Sequence, residues 1–108
     1  MVQADEIIHQ QTRLKIMATL RAIPQGEWIE FARLKAVLQA TDGNLGSHIA
    51  TLEGAGYIAV AKDFVGKKPR TRVALTRSGR KAFAQHIEFL RTILDAAASR
   101  HHDREGTS

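Results

Sequence analysis

Between Asp42 and Thr51 the sequence gathers side chains suited to reading a polar surface: the carboxylate of Asp42, the amide of Asn44, the hydroxyls of Ser47 and Thr51 and the imidazole of His48, with Gly43 among them. An amide offers a donor and an acceptor side by side, the arrangement that pairs bidentately with adenine, while a hydroxyl or imidazole reaches bases or phosphates. A second group is cationic. From Lys62 to Lys81 there are eight basic residues against one acid, Asp63. Lys67, Lys68, Arg70 and Arg72, with Thr71, surround Gly66 and Pro69. Such a cluster neutralises phosphates, and Arg70 also suits a narrow minor groove, where negative potential concentrates. Set against this, both groups are open to a plainer reading as solvated surface.

Other chemistry is thinly represented. No Ser/His/Asp spacing, phosphate loop or acidic cluster suggests a reaction, so an enzyme is not expected. With no cysteine, thiolate metal sites and thiol nucleophiles are absent. His101, His102 and Asp103 read as an incidental group, and neither a metal nor a cofactor is expected. A formal net charge of +5 over 108 residues favours a polyanionic partner. No apolar run approaches the length of a membrane span, and Asp5 and Glu6 stand where a secretory signal would be basic. A cytoplasmic protein without membrane contact is the expectation.

The elements that position these groups follow from periodicity. Ile16, Leu20 and Ile23, with Leu14 and Met17, give one face of a first helix from Asp5 to Ile23, ended by Pro24 and Gly26. Trp28 and Ile29 read as a short extended piece that pairs with something later. Phe31, Leu34, Val37 and Leu38 form a second helix. Thr41 caps a third, which buries Leu45, Ile49 and Leu52 and stops at Gly54-Ala55-Gly56. The residues facing away from that core are then Gly43, Asn44, Ser47, His48 and Thr51. Strands at Tyr57 to Phe64 and Thr71 to Leu75 flank a basic loop from Val65 to Arg70. Thr76 caps a last helix running to Ala98. Phe83, Ile87, Leu90, Leu94 and Ala97 repeat there at steps of four and three, a seam for another helix, with Ile93 in a second apolar row.

This order is that of a mainly α fold with a small β-hairpin, a winged helix-turn-helix with a long C-terminal dimerisation helix. It spans residues 1–99 as one domain, with 100–108 a disordered tail. The Asp42-Gly43-Asn44-Leu45 start, the Leu52-Glu53-Gly54-Ala55-Gly56-Tyr57 exit and the Leu75-Thr76-Arg77-Ser78-Gly79-Arg80 entry resemble the winged helix-turn-helix regulators of the MarR and ArsR-like group, from Ile8 to Leu94. Ala50 and Thr51 depart from it, standing where lysines are common, so affinity must rest on the wing.

The resemblance implies a dimeric transcriptional regulator binding double-stranded DNA. The homodimer contact is expected through Ile7, Ile8, Phe83, Ile87, Leu90, Ile93, Leu94 and Ala97. A module that binds protein and not DNA is the alternative. A small-molecule effector pocket lined by Trp28, His9 and His86 is a further reading, and core packing explains those three residues equally.

Overall fold

The computed structural model describes the backbone of residues 3–107 and the side chains of residues 3–99. Its first element is set by Asp5, whose carboxylate accepts the Ile7 and Ile8 amides at 2.9 and 3.1 Å and so caps α1 (Glu6–His9). The single helix expected from Asp5 to Ile23 is broken at Gln10. That residue is extended, with ψ 133°, and its side-chain oxygen takes the Arg13 amide at 2.9 Å to start α2 (Gln11–Arg21). A polar side chain has captured an amide that a continuous helix would have used, and apolar periodicity carries no sign of the exchange.

After a turn at Pro24 come β1 (Ile29–Glu30) and α3 (Phe31–Leu38). Gln39 closes α3 in the left-handed region at φ 53°, and Thr41 accepts the Asn44 amide at 3.2 Å to open α4 (Asp42–Gly54). Two helices therefore meet across three residues. An ion pair between Lys35 and Asp42 at 2.8 Å spans that turn.

The hairpin of β2 (Ile58–Val65) and β3 (Lys68–Leu75) joins β1 in an antiparallel sheet of order β1-β3-β2, with Ile29 opposite Val73. The six-residue loop expected between the strands is corrected to Gly66 and Lys67 alone. Gly66 has φ 64° and Lys67 does not share a positive φ, the pattern of a type II′ hairpin turn with glycine first. Proline at 69 is compatible with a strand here because β1 reaches only as far as Arg72 along β3, leaving an unpaired edge beyond.

α5 (Arg77–Thr107) begins where Thr76 Oγ accepts the Gly79 amide at 2.9 Å and donates to the Gly56 carbonyl at 2.6 Å. It continues past Ala98, where the apolar spacing stops. The tail expected to be disordered, His101 to Asp103 included, falls on residues whose side chains lie outside the described ones.

The core sits where the helices and sheet converge: Ile16, Met17 and Leu20 of α2, Leu34 of α3, Leu45, Ile49 and Leu52 of α4, Ile58 and Val73 of the sheet. Each fully buried aliphatic side chain stabilises the fold by about 1.5–3 kcal/mol. Ile8 and Phe83, expected at a dimer contact, belong to this cluster, with 0% and 8% of their surface exposed. They offer a second chain nothing to bury. Ile7 and Ile87 are half-buried against the same core.

His86 is also fully buried. Its Nδ1 accepts the Asp5 amide at 3.1 Å, its ring stacks on Phe89, and His9 meets it edge-on with centroids 5.5 Å apart. Burial first, then the neighbouring His9, lowers its pKa from the ordinary value, against an opposing pull from Asp5. With the Asp5 N–H donating to Nδ1, the neutral ring carries its proton on Nε2, which is buried without a hydrogen-bond partner among the described residues. The other side of Asp5 takes a hydrogen bond from the Tyr57 hydroxyl at 2.6 Å, which, with burial, pushes that phenol up to about 12.

A methyl group at Gly79 would overlap the Tyr57 carbonyl, whereas one at Gly46, inside α4, meets nothing. Gly79→Ala should cost about 2–4 kcal/mol of unfolding free energy, and Gly46→Ala should add up to about 1 kcal/mol, both read by urea denaturation. Because folding lowers the His86 pKa, the unfolded chain binds the extra proton, so stability present above about pH 6.5 declines as acid is added. Replacing it, as His86→Leu, should flatten that decline, and an unaltered slope would remove His86 as its source.

Candidate nucleic-acid interface

α4 buries Leu45, Ile49 and Leu52 on one side, which leaves Asp42, Gly43, Asn44, Ser47 and Thr51 exposed on the other. Among the described residues no hydrogen bond engages the Asn44 side-chain amide or the Ser47 hydroxyl. Three members of the expected set are otherwise occupied. Thr51 donates its hydroxyl back to the Ser47 carbonyl at 3.2 Å, and Asp42 is paired with Lys35 at the helix start, where a carboxylate also suits the dipole. His48 is half-buried, its Nδ1 3.2 Å from an Arg13 guanidinium nitrogen. Arg13 in turn donates to the Ile7 carbonyl at 2.5 Å, so it ties α1 to the flank of α4. This cation lies thirty-five residues from His48 and nothing in the sequence pattern announces it.

The hairpin faces α4 across a groove of about 520 Å³, lined by Gly46, Ala50 and Glu53 on the helix and by Val60, Lys62 and Thr71 on the strands. Thr71 is half-buried there. The four wing cations divide into two kinds. Lys67 and Lys68 are exposed, as is Lys62. Arg70, by contrast, grips Asp63 with two hydrogen bonds at 2.9 and 2.7 Å, and Arg72 reaches the same carboxylate at 3.1 Å.

The hydrogen bond from Arg70, ahead of the other contributions, holds the Asp63 carboxyl below its usual range, and the same bond raises Arg70. Arg72 also lies over the Trp28 ring, 5.8 Å from its centroid. Both arginines are thus part of the sheet's outer surface and brace the hairpin, while the lysines carry the uncompensated charge. With the register known, Asp63 opposite Arg70 follows directly; reading Gly66-Lys67 as a two-residue turn would have supplied it.

The three residues suggested for an effector pocket do not share a cavity. His86 lines one with Gln3, Asp5 and Gln85, whereas Trp28 lines another with Ile23, Pro24 and Arg33. Among the described residues no group of three His, Cys, Asp or Glu could hold a metal, and no helix is long and apolar enough to cross a membrane.

Beyond Leu90, α5 leaves the core. Every described residue from Arg91 to Ser99 is exposed, including Ile93 at 50% and Leu94 at 68%. Ala97 lies on this exposed stretch as well, and Leu90 stands half-buried at its root.

This arrangement matches known proteins. A transcriptional regulator homologue of Pyrococcus horikoshii superposes with a TM-score of 0.76 at 30% identity, over 86% of this chain and 89% of that one. Streptococcus pneumoniae FabT, solved in complex with DNA, gives 0.55 at 19% identity, over 86% of this chain and 66% of its own, a likeness of fold. In sequence, an uncharacterized protein of Methanocaldococcus jannaschii is 35% identical over 82 residues, 76% of this chain and 86% of that protein. The pattern of the winged helix DNA-binding domain, a family of binding proteins and not of enzymes, matches residues 12–94. With helix, turn, helix and two-stranded wing in that order, the chain belongs to the winged helix DNA-binding domain family.

Proposed function

We propose that this protein is a transcriptional regulator of the MarR and ArsR-like kind, which binds double-stranded DNA as a homodimer in the cytoplasm. The observation that carries the reading is a helix with a bare polar side set across a groove from a hairpin with free lysines. α4 has the shape and the exposed amide to enter a major groove, with Asn44 and Ser47 nearest the bases. Gly43 lets the helix start approach closely. Asp42, His48 and Thr51 shape and hold the helix, and their contact with DNA is secondary. Lys67 and Lys68 at the wing tip supply the phosphate contacts, and Arg70, Thr71 and Arg72 hold the wing that presents them.

Lys67→Ala/Lys68→Ala should weaken binding to all duplexes and lower the salt slope by about 2, at about 0.9 per phosphate contact. Asn44→Ala should instead relax base preference, at about 1–3 kcal/mol, with the salt slope kept. Anisotropy titrations against selected and random duplexes between low and high salt read both; an unchanged slope in the double lysine variant would contradict the wing's role. Arg70→Ala differs from a lysine change, since it also removes the bidentate partner of Asp63 and leaves that carboxylate to Arg72 alone.

For the dimer, the occupant proposed for the outer half of α5 is a second copy of this chain. Ile93, Leu94 and Ala97, with Leu90 at their root, continue the seam that Phe83 begins inside the core, so one helix serves first its own chain and then its partner. A two-fold pair reads two half-sites about one helical turn apart, or a multiple of it. Leu94→Asp should yield monomers in sedimentation at micromolar concentration with the thermal midpoint of the domain little moved. Monomeric wild-type protein under the same conditions would remove the dimer.

A further inference from the structure

Phe64 is the most exposed large apolar side chain among the described residues, 69% open at the far end of the wing. In register it stands opposite Pro69, also exposed. Strand alternation puts Phe64 on the face of Val60 and Lys62, and Pro69 on the face of Thr71. Those three neighbours line the groove toward α4, so the Phe64–Pro69 pair lies one step further out on the same side. An isolated hairpin tip gains no core from an aromatic ring there. Removal of a large apolar side chain from water needs a partner that the chain does not itself provide.

The charge around the pair says what that partner is. Lys62 on the same face and Lys67 in the adjoining turn flank it with exposed ammonium groups, while the sole acid of the hairpin, Asp63, points to the opposite face into two arginines, the face Lys68 shares. An apolar spot with cations on either side fits a surface in which apolar and anionic units alternate. Deoxyribose C–H faces between phosphates at the edge of a minor groove are such a surface. The rigid base is present too, since Arg70 and Arg72 lock the two strands through Asp63 on the reverse side.

Resting on the DNA-binding reading above, we infer that Phe64 and Pro69 form an apolar wedge on the wing that packs against deoxyribose at the minor-groove edge and adds a salt-independent part to the affinity. Apolar side chains serve DNA proteins in the minor groove in this general way. The wedge separates the wing's two tasks: lysines draw the backbone in, and the ring fixes how deep the wing sits.

The test is a salt series of anisotropy titrations with a random-sequence duplex, on the full chain and on Phe64→Ala and Phe64→Leu. Phe64→Ala should bind about tenfold more weakly at every salt concentration, the scale set by partial loss of an aromatic burial, with the slope of affinity against salt unchanged. Phe64→Leu should stay within about threefold of the unaltered chain, because an aliphatic group still covers the sugar. Since Phe64 is exposed, both variants should keep the thermal midpoint. Equal affinity of Phe64→Ala and the unaltered chain overturns the wedge, as does a loss accompanied by a shallower slope, which would mean that the ring only orders the lysines. A change of oligomeric state in Phe64→Ala assigns the ring to a protein contact and likewise overturns it. Failure of the unaltered chain to bind any duplex would sink the DNA reading itself.

Discussion

The backbone at Gly56 and Tyr57 is the point on which the arrangement depends. It ends α4, starts β2, and is gripped from α5 by two hydrogen bonds: the Thr76 hydroxyl to the Gly56 carbonyl at 2.6 Å, and the Thr76 amide to the Tyr57 carbonyl at 3.1 Å. Gly79 has no Cβ because that space holds the Tyr57 carbonyl. The Tyr57 side chain then reaches Asp5, whose amide is held by His86 of α5. One dipeptide therefore joins the exit of α4 to both terminal segments. Neutral–neutral hydrogen bonds of this kind each contribute about 1 kcal/mol, and two of them on adjacent carbonyls fix the direction of the chain there.

The wing obeys a different constraint, that of charge. Composition counts eight cations in the Lys62–Lys81 stretch as equivalent, but cross-strand pairing spends two of them on one carboxylate. The result is a hairpin with a braced side and a bare side. Exposed ion pairs are worth little to stability as a rule. Their value here is geometric: a bidentate Arg70–Asp63 pair across the strands, continued by Arg72 onto Trp28, resists twisting in a two-stranded ribbon that projects from the core. The lysines can then carry the field without having to carry the shape.

Most of the element order was legible from the chain because each boundary is written in a residue with one dominant local effect. Thr41 and Thr76 cap helices, Pro24 stops one, and the apolar steps of α3 and α4 fix which side is buried. The parts that were not legible involve choices between competing partners. Gln10 takes an amide out of a helix that looked continuous, and Arg13, which faces His48, reveals itself only once α2 is laid beside α4. The assignment of Ile8 and Phe83 to a partner failed for a related reason. Periodicity marks an apolar face but not how much of it the chain covers itself, and here self-coverage ends near Leu90.

That limit of self-coverage ties the two ends of the proposed function together. α5 is a single helix whose first turns are locked to Gly56 and Tyr57 and whose outer turns hold unmatched apolar residues. A helix is stiff over such a length, so whatever packs on Ile93 and Leu94 sets the direction of α5, and through Thr76 and Gly79 the direction of α4. In a pair built on those residues, the spacing between the two copies of α4 would follow from the crossing of two α5 helices, with little slack in the joint between. Any influence on that crossing would then reach the polar side of α4 as a rotation of the whole domain, without first having to reshape the helix itself.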